Sequence, residues 1–217
     1  MSLIIIVMTL AFVGCENKLE TGNNGSNNNG AESKVVSGTI NGHEYVDLGL
    51  PSGTKWATCN VGANSPEEYG NYYAWGEITT KSEYTEENCV TCGENMDNIS
   101  GDTNYDVART IWGESWRIPT KAELEELKNK CTWTWCSQND VNGYKIIGPN
   151  GNSIFIPAAG YYDGTSRSSV GGCGYYWIST NDKRDIDRAY YLFFRSFFYN
   201  VNWYYRNLGL TVRPVTE

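Results

Sequence analysis

In Tyr45–Val61 and again past Lys130, apolar and polar residues alternate with a period of two, in short runs cut by Gly, Pro and Asn. That rhythm is the mark of half-buried strands. Tyr45–Leu50 and Thr54–Val61 flank the turn Pro51-Ser52-Gly53 and predict a hairpin, with Trp56 and Thr58 on one face and Ala57 and Cys59 on the other. A turn at Pro66–Gly70 leads into Tyr72–Glu77, and residues 78–101 are polar and turn-rich. Cys131–Cys136 places Cys131, Trp133 and Trp135 on one face. Gly143–Gly148 and Ser153–Pro157 form a second hairpin around Pro149-Asn150-Gly151. Tyr175–Ser179, Arg188–Arg195 and Leu208–Arg213 complete the strands. The 188–195 run is apolar on both faces, as a central strand should be.

Two stretches break the period. Asp102–Gly113 predicts a short helix capped by Asp102 and ended by Gly113. The second follows Trp116-Arg117-Ile118-Pro119: Thr120 is a natural N-cap, Glu123 completes a capping box, and Leu124 and Leu127 give one apolar stripe up to about Lys130. Pro119 keeps Ile118 extended, so an arm ending at Trp116 hands over directly to this helix.

The N-terminal region has a different texture. Residues 2–13 are almost wholly apolar and end at Gly14-Cys15. The run is short for a membrane span and fits an export signal. Phe12-Val13-Gly14-Cys15 resembles a bacterial lipobox, although no Lys or Arg precedes the run. The expected division is a signal peptide over 1–14, a disordered tether over 15–40 behind a lipidated Cys15, and a folded domain over 41–217. The tether is rich in Asn and Gly and has little to bury.

Composition sharpens this picture. Sixteen Tyr and eight Trp against six Phe, with 23 Gly, suit strand-rich packing and aromatic ligand platforms. A net charge of −8 excludes a nucleic-acid phosphate backbone as a natural partner. With Cys15 acylated, six cysteines remain (Cys59, Cys89, Cys92, Cys131, Cys136 and Cys173), an even number open to several disulfide pairings.

Several segments together resemble the Fibrobacter succinogenes major paralogous domain of Bacteroides-type lipoproteins. They are Val46–Gly62, Tyr69–Glu77, Trp116–Glu123, Phe155–Gly160, Tyr175–Thr180 and Val212–Pro214, in order along nearly all of the domain. The resemblance implies an α+β, C-type-lectin-like fold with its first and last strands side by side, two short helices and long loops. The strand and helix count agrees with that class. The family brings no activity.

Candidate chemistry is thin. The strings nearest a lectin calcium motif, Gly148-Pro149-Asn150 and Thr180-Asn181-Asp182, each lack a leading ligand, so no calcium site is expected. Cys173 stands without the second cysteine that the related formylglycine-generating fold uses. His43 is the lone histidine and reads as surface decoration. Asp182, Asp185 and Asp187 sit among Lys183, Arg184 and Arg188, as in a solvated loop. Glu86, Glu87 and Glu94 oppose thiolate formation at Cys89 and Cys92, and so redox chemistry. A zinc site shared with Cys131 and Cys136 would need two thiols on opposite faces of one strand, so a local disulfide or buried thiols are expected.

The aromatic run Phe197–Arg206 remains. Either its rings pack the final strands, or Asn200, Asn202 and Asn207 mark a loop that shows some of them. The candidate ligand residues are Tyr199, Trp203, Tyr204, Tyr205 and Arg206, joined by Tyr161, Tyr162 and Asp163. The expectation is a binding or adhesion module, anchored by lipid to the outer membrane outside the cytoplasm, with a glycan or a surface protein as ligand. It has no catalytic role, metal or cofactor. The alternatives are a structural envelope component without a ligand and, with least support, an enzyme of unknown class.

Overall fold

The computed structural model describes residues 36–113 and 115–217. The signal peptide, Cys15 and the tether up to residue 35 lie outside them. Among the described residues the order is β1 (Gly38–Ile40), β2 (His43–Asp47), β3 (Lys55–Ala57), α1 (Val107–Trp112), α2 (Lys121–Lys130), β4 (Thr132–Gln138), β5 (Val141–Ile147), β6 (Ser153–Pro157), β7 (Tyr161–Asp163), β8 (Ser166–Ser168), β9 (Cys173–Asn181), β10 (Arg188–Arg195), β11 (Phe198–Tyr205) and β12 (Val215–Thr216). Residues 38–40, assigned to the tether from sequence, form β1.

The strands make four antiparallel sheets, ordered β1-β2-β3-β12, β11-β10-β9, β4-β5-β6 and β7-β8. The α+β class, and the C-type-lectin-like arrangement expected with it, give way to a mainly-β fold. The helices are the reason. α1 has only six residues and α2 ten, too little to form a layer. α1 is shorter than its sequence pattern because its N-cap is Asp106, not Asp102. The Asp106 carboxylate accepts from Ala108 and Arg109 N–H, and also from the backbone N–H of Gly101 and Ile118. Asp102 closes a preceding turn on Asn104 N–H. α2 has the expected box: Thr120 Oγ1 accepts from Glu123 N–H, and the Glu123 carboxylate accepts from Thr120 N–H.

Alternation on β3 divides the interior. Trp56 packs in a core with Leu124, Leu127, the inner residues of β5 and β6, and Leu192 and Phe194. Ala57, one residue on, faces a second core with Trp75, Trp112, Trp116, Trp177 and Tyr191. Trp116 is fully buried and donates its indole N–H to Ile40 O at 3.0 Å. Arg117 next to it bridges to Val215, so the first and last strands and both helices meet at this junction. β12 pairs with β3 through Val215↔Trp56, which sets the two ends of the domain side by side.

Candidate functional site

β10 is the middle strand of its sheet, as its two apolar faces require. The inner face, with Leu192 and Phe194, packs on the Trp56 core. The outer face carries Tyr191 and Phe193. The register sets Tyr191 opposite Trp177 and Phe193 opposite Tyr175 on β9, and Ala189 opposite Tyr204 on β11. The result is a continuous row of rings. Phe198 lies 6.0 Å from Phe193, Phe193 5.2 Å from Tyr175, and Tyr175 4.6 Å from Tyr161, which is 5.9 Å from Tyr204. Tyr191 supports the row from below, stacked on Tyr175 with ring planes 1° apart. Tyr161, Tyr175, Phe193 and Tyr204 are half-buried, while Phe198, Asn200 and Asn202 are exposed beside them. Burial pushes the Tyr175 and Tyr204 phenols up to about 12, so they stay neutral O–H groups at physiological pH.

The row ends at an open depression of ≈ 610 Å³ whose lining includes Tyr84, Glu86, Glu87, Asp163, Tyr204 and Tyr205. Its acidic wall is the 85–94 loop, closed by the Cys89–Cys92 disulfide. Thr91 Oγ1 donates to Trp75 O at 2.6 Å, Val90 N–H donates to Glu77 Oε1 at 2.8 Å, and Arg206 Nη1 donates to the carbonyls of Thr91 and Glu94, both at 2.9 Å. Glu87's own backbone N–H and the Thr85 hydroxyl hold its carboxyl below the usual range. The opposite wall is fixed by mutual hydrogen bonds between Tyr84 and Gly164.

The eight residues singled out in sequence therefore separate. Tyr161 and Tyr204 lie in the row, and Asp163, Tyr204 and Tyr205 line the depression. Tyr205 is 42% exposed, and its ring and that of Trp203 flank Arg188, whose guanidinium lies 4.9 Å and 4.0 Å from them. Tyr199 turns inward and stacks on Trp133 at 4.5 Å. Tyr162 also turns inward, edge-on to Tyr72 at 4.9 Å. Arg206 is fully buried over Trp75, so it is a brace for the loop and not a ligand contact. The Asn-marked loop is not formed either. Asn200 and Asn202 are the exposed alternate positions of an edge strand, so their polarity reflects period two rather than disorder. Sequence reasoning missed Tyr84, Glu86, Glu87, Tyr175, Phe193 and Phe198. A period-two pattern supplies the outward parity of Tyr175 and Phe193, but nothing local supplies their register against each other.

The remaining candidates have structural partners. His43 is half-buried and stacked on Trp112 at 3.8 Å, not surface decoration, and burial lowers its pKa. Asp182 is buried and held below the usual carboxylate range by Arg184, Asp185 pairs with Arg188, and Asp187 accepts from Gly93 N–H. Asn150 is a turn residue that donates to Asp47 O. Burial raises the Cys131 thiol to about 11 and lifts Cys173 as well, which keeps both protonated. Among the described residues no three His, Cys, Asp or Glu side chains gather as a metal-binding group. No helix among them is long and apolar enough to cross a membrane.

Comparison with known proteins adds little to this geometry. Neither the curated proteins nor the solved structures contain a match. Over residues 119–215, from the α2 cap through β11 to the first residue of β12, the chain is similar to a family described as a domain of unknown function (DUF8237).

Proposed function

We propose that this protein is a binding module for an extended, uncharged or cationic glycan, carried on a lipid-tethered chain outside the cytoplasm. One observation carries the reading: a row of partly exposed rings runs along one sheet face into a depression rimmed by Glu86, Glu87 and Asp163. Flat rings stack on the apolar faces of sugars, while phenols, Asn200 and Asn202 offer hydrogen bonds to their hydroxyls. The acidic rim and the net charge of −8 select against sulfated or uronic-acid polymers. Phe198 to Tyr205 spans about 23 Å at the usual rise of a strand, room for several sugar units in line. The Cys89–Cys92 disulfide agrees with an oxidising compartment, and Gly14-Cys15 after an apolar run supports the anchor.

The test is affinity electrophoresis and calorimetry against neutral, amino and anionic polysaccharides, comparing the wild type with Tyr204→Ala and Phe198→Ala. Each substitution should weaken binding about fivefold, the value of one ring contact of ~1 kcal/mol, without altering the circular dichroism. Equal affinity for anionic polymers, or binding indifferent to both substitutions, sinks the reading.

A further inference from the structure

The outer edge of β11 is a second surface, whose reading does not depend on a glycan. Among the described residues β11 ends its sheet, with β10 on one side only. Its register against β10 is unbroken from Arg188↔Tyr205 to Arg195↔Phe198, and Arg206 N–H continues it by donating to Asp187 O. Even-numbered residues of β11 therefore aim their backbone groups at β10, and odd-numbered ones aim theirs away from the sheet. Two of those outward amides are held by the residue before them. Val201 N–H donates to Asn200 Oδ1 and Trp203 N–H to Asn202 Oδ1, each at 2.9 Å and each exposed. Lys128 Nζ reaches Asn200 Oδ1 from α2 at 3.2 Å. The acceptors on this edge are side chains, which can swing away, and not another strand.

Soluble proteins guard such edges by keeping them short, charged or broken by Pro. β11 has eight residues, and Phe198–Tyr205 contains no charge, Pro or Gly. In a chain of net charge −8, a neutral strip is where two copies can approach with least repulsion. The strand also matches itself. Turned about a two-fold axis at Asn202, it sets Val201 against the partner's Trp203 and Tyr199 against the partner's Tyr205. Asn200 then meets the partner's Tyr204, and the two Asn202 side chains face each other at the axis. Ring with ring and β-branched with ring are favourable cross-strand pairs. Odd positions meet odd positions in this register, so Val201 and Trp203 exchange their N–H···O bonds with the partner's Trp203 and Val201. We propose that β11 is a homodimer interface: two copies pair edge to edge and antiparallel, the Asn caps open, and two three-stranded sheets become one. The tyrosine row stays uncovered on both copies, because the contact lies in the plane of the sheet.

Sedimentation equilibrium of the full chain should show a reversible dimer at tens of micromolar. Asn202→Lys sets like charges face to face at the axis and should weaken the dimer about tenfold or more. Residue 202 is exposed, so the melting temperature of the monomer should not move. Crosslinking fixes the register. Asn202→Cys should form an interchain disulfide under oxidised glutathione, because Cα atoms of a non-hydrogen-bonded pair lie about 4.5 Å apart. Asn200→Cys should stay at the background set by the wild-type thiols, because its two copies would lie about 13 Å apart along the strands. Should either cysteine variant fail to fold, sedimentation of the wild type and Asn202→Lys decides. A monomeric wild type, a dimer indifferent to Asn202→Lys, or equal crosslinking at 200 and 202 overturns the interface.

Discussion

Replacing Arg206 with Met separates a brace from a ligand contact. The guanidinium gives two 2.9 Å hydrogen bonds, to the carbonyls of Thr91 and Glu94, and a longer one of 3.3 Å from Nε to Arg188 O. It also lies 4.4 Å from the centre of the Trp75 ring. Bonds from a charged donor contribute about 1.5–3 kcal/mol each, and a desolvated cation–π contact about 2 kcal/mol. Against this stands the cost of burying the cation, visible in the lowered pKa of Arg206. Methionine fills part of the volume but leaves the buried Thr91 carbonyl without that donor. The net loss should be about 3 kcal/mol, a large part of a typical stability of about 5–15 kcal/mol. For a domain of this size that lowers the melting temperature by about 6–12 °C. Urea unfolding followed by tryptophan fluorescence measures it directly. A loss under about 1 kcal/mol, together with abolished ligand binding, would refute the assignment and restore Arg206 to the binding surface.

Other consequences can be checked in the same way. Glu123→Gln keeps an oxygen for the capping box but removes the ion pair with Arg117, and should cost about 2 kcal/mol by chemical denaturation at pH 7. The Glu123 carboxyl is half-buried, yet Arg117 and the Thr120 N–H and hydroxyl hold it below its ordinary value. Its contribution is therefore present above the unfolded-state pKa near 4.5 and is lost as pH falls through the lower folded value. The pH dependence of stability below 4.5 should accordingly flatten in Glu123→Gln, and an unchanged acid limb would contradict this account. Cys131, with its thiol raised to about 11, should react with iodoacetamide at pH 8 far more slowly than an exposed cysteine, with a rate that climbs about tenfold per pH unit. Peptide mapping by mass spectrometry after timed quenching reads this, and fast labelling at pH 8 would be inconsistent with the buried thiol.

Legibility followed the distance over which each feature is determined. The Thr120–Glu123 box was readable because its donors and acceptors lie within one turn. The cap of α1 was misplaced by one turn because Asp102 and Asp106 are equally good caps locally. Only the N–H groups of Gly101 and Ile118, which fold over the second carboxylate, select Asp106. The strand identity of 188–195 was legible from its two apolar faces, whereas the edge position of β11 made Asn200 and Asn202 look like a loop. The fold class failed on helix length, since two short helical patterns do not make a helical layer. The depression draws Glu86, Asp163 and Tyr205 from stretches far apart in sequence, so no local pattern could have assembled it. Arg206 was misread for a related reason, because its partners sit more than a hundred residues upstream.

The pairing of β12 with β3 has a bearing on synthesis. β3 has β2 on one side and needs residues 215–216 on the other, so a nascent chain still lacking them cannot finish that sheet. Until translation has passed this point the domain stays open at the Trp56 core, and closing it waits on the strand made after all the others described.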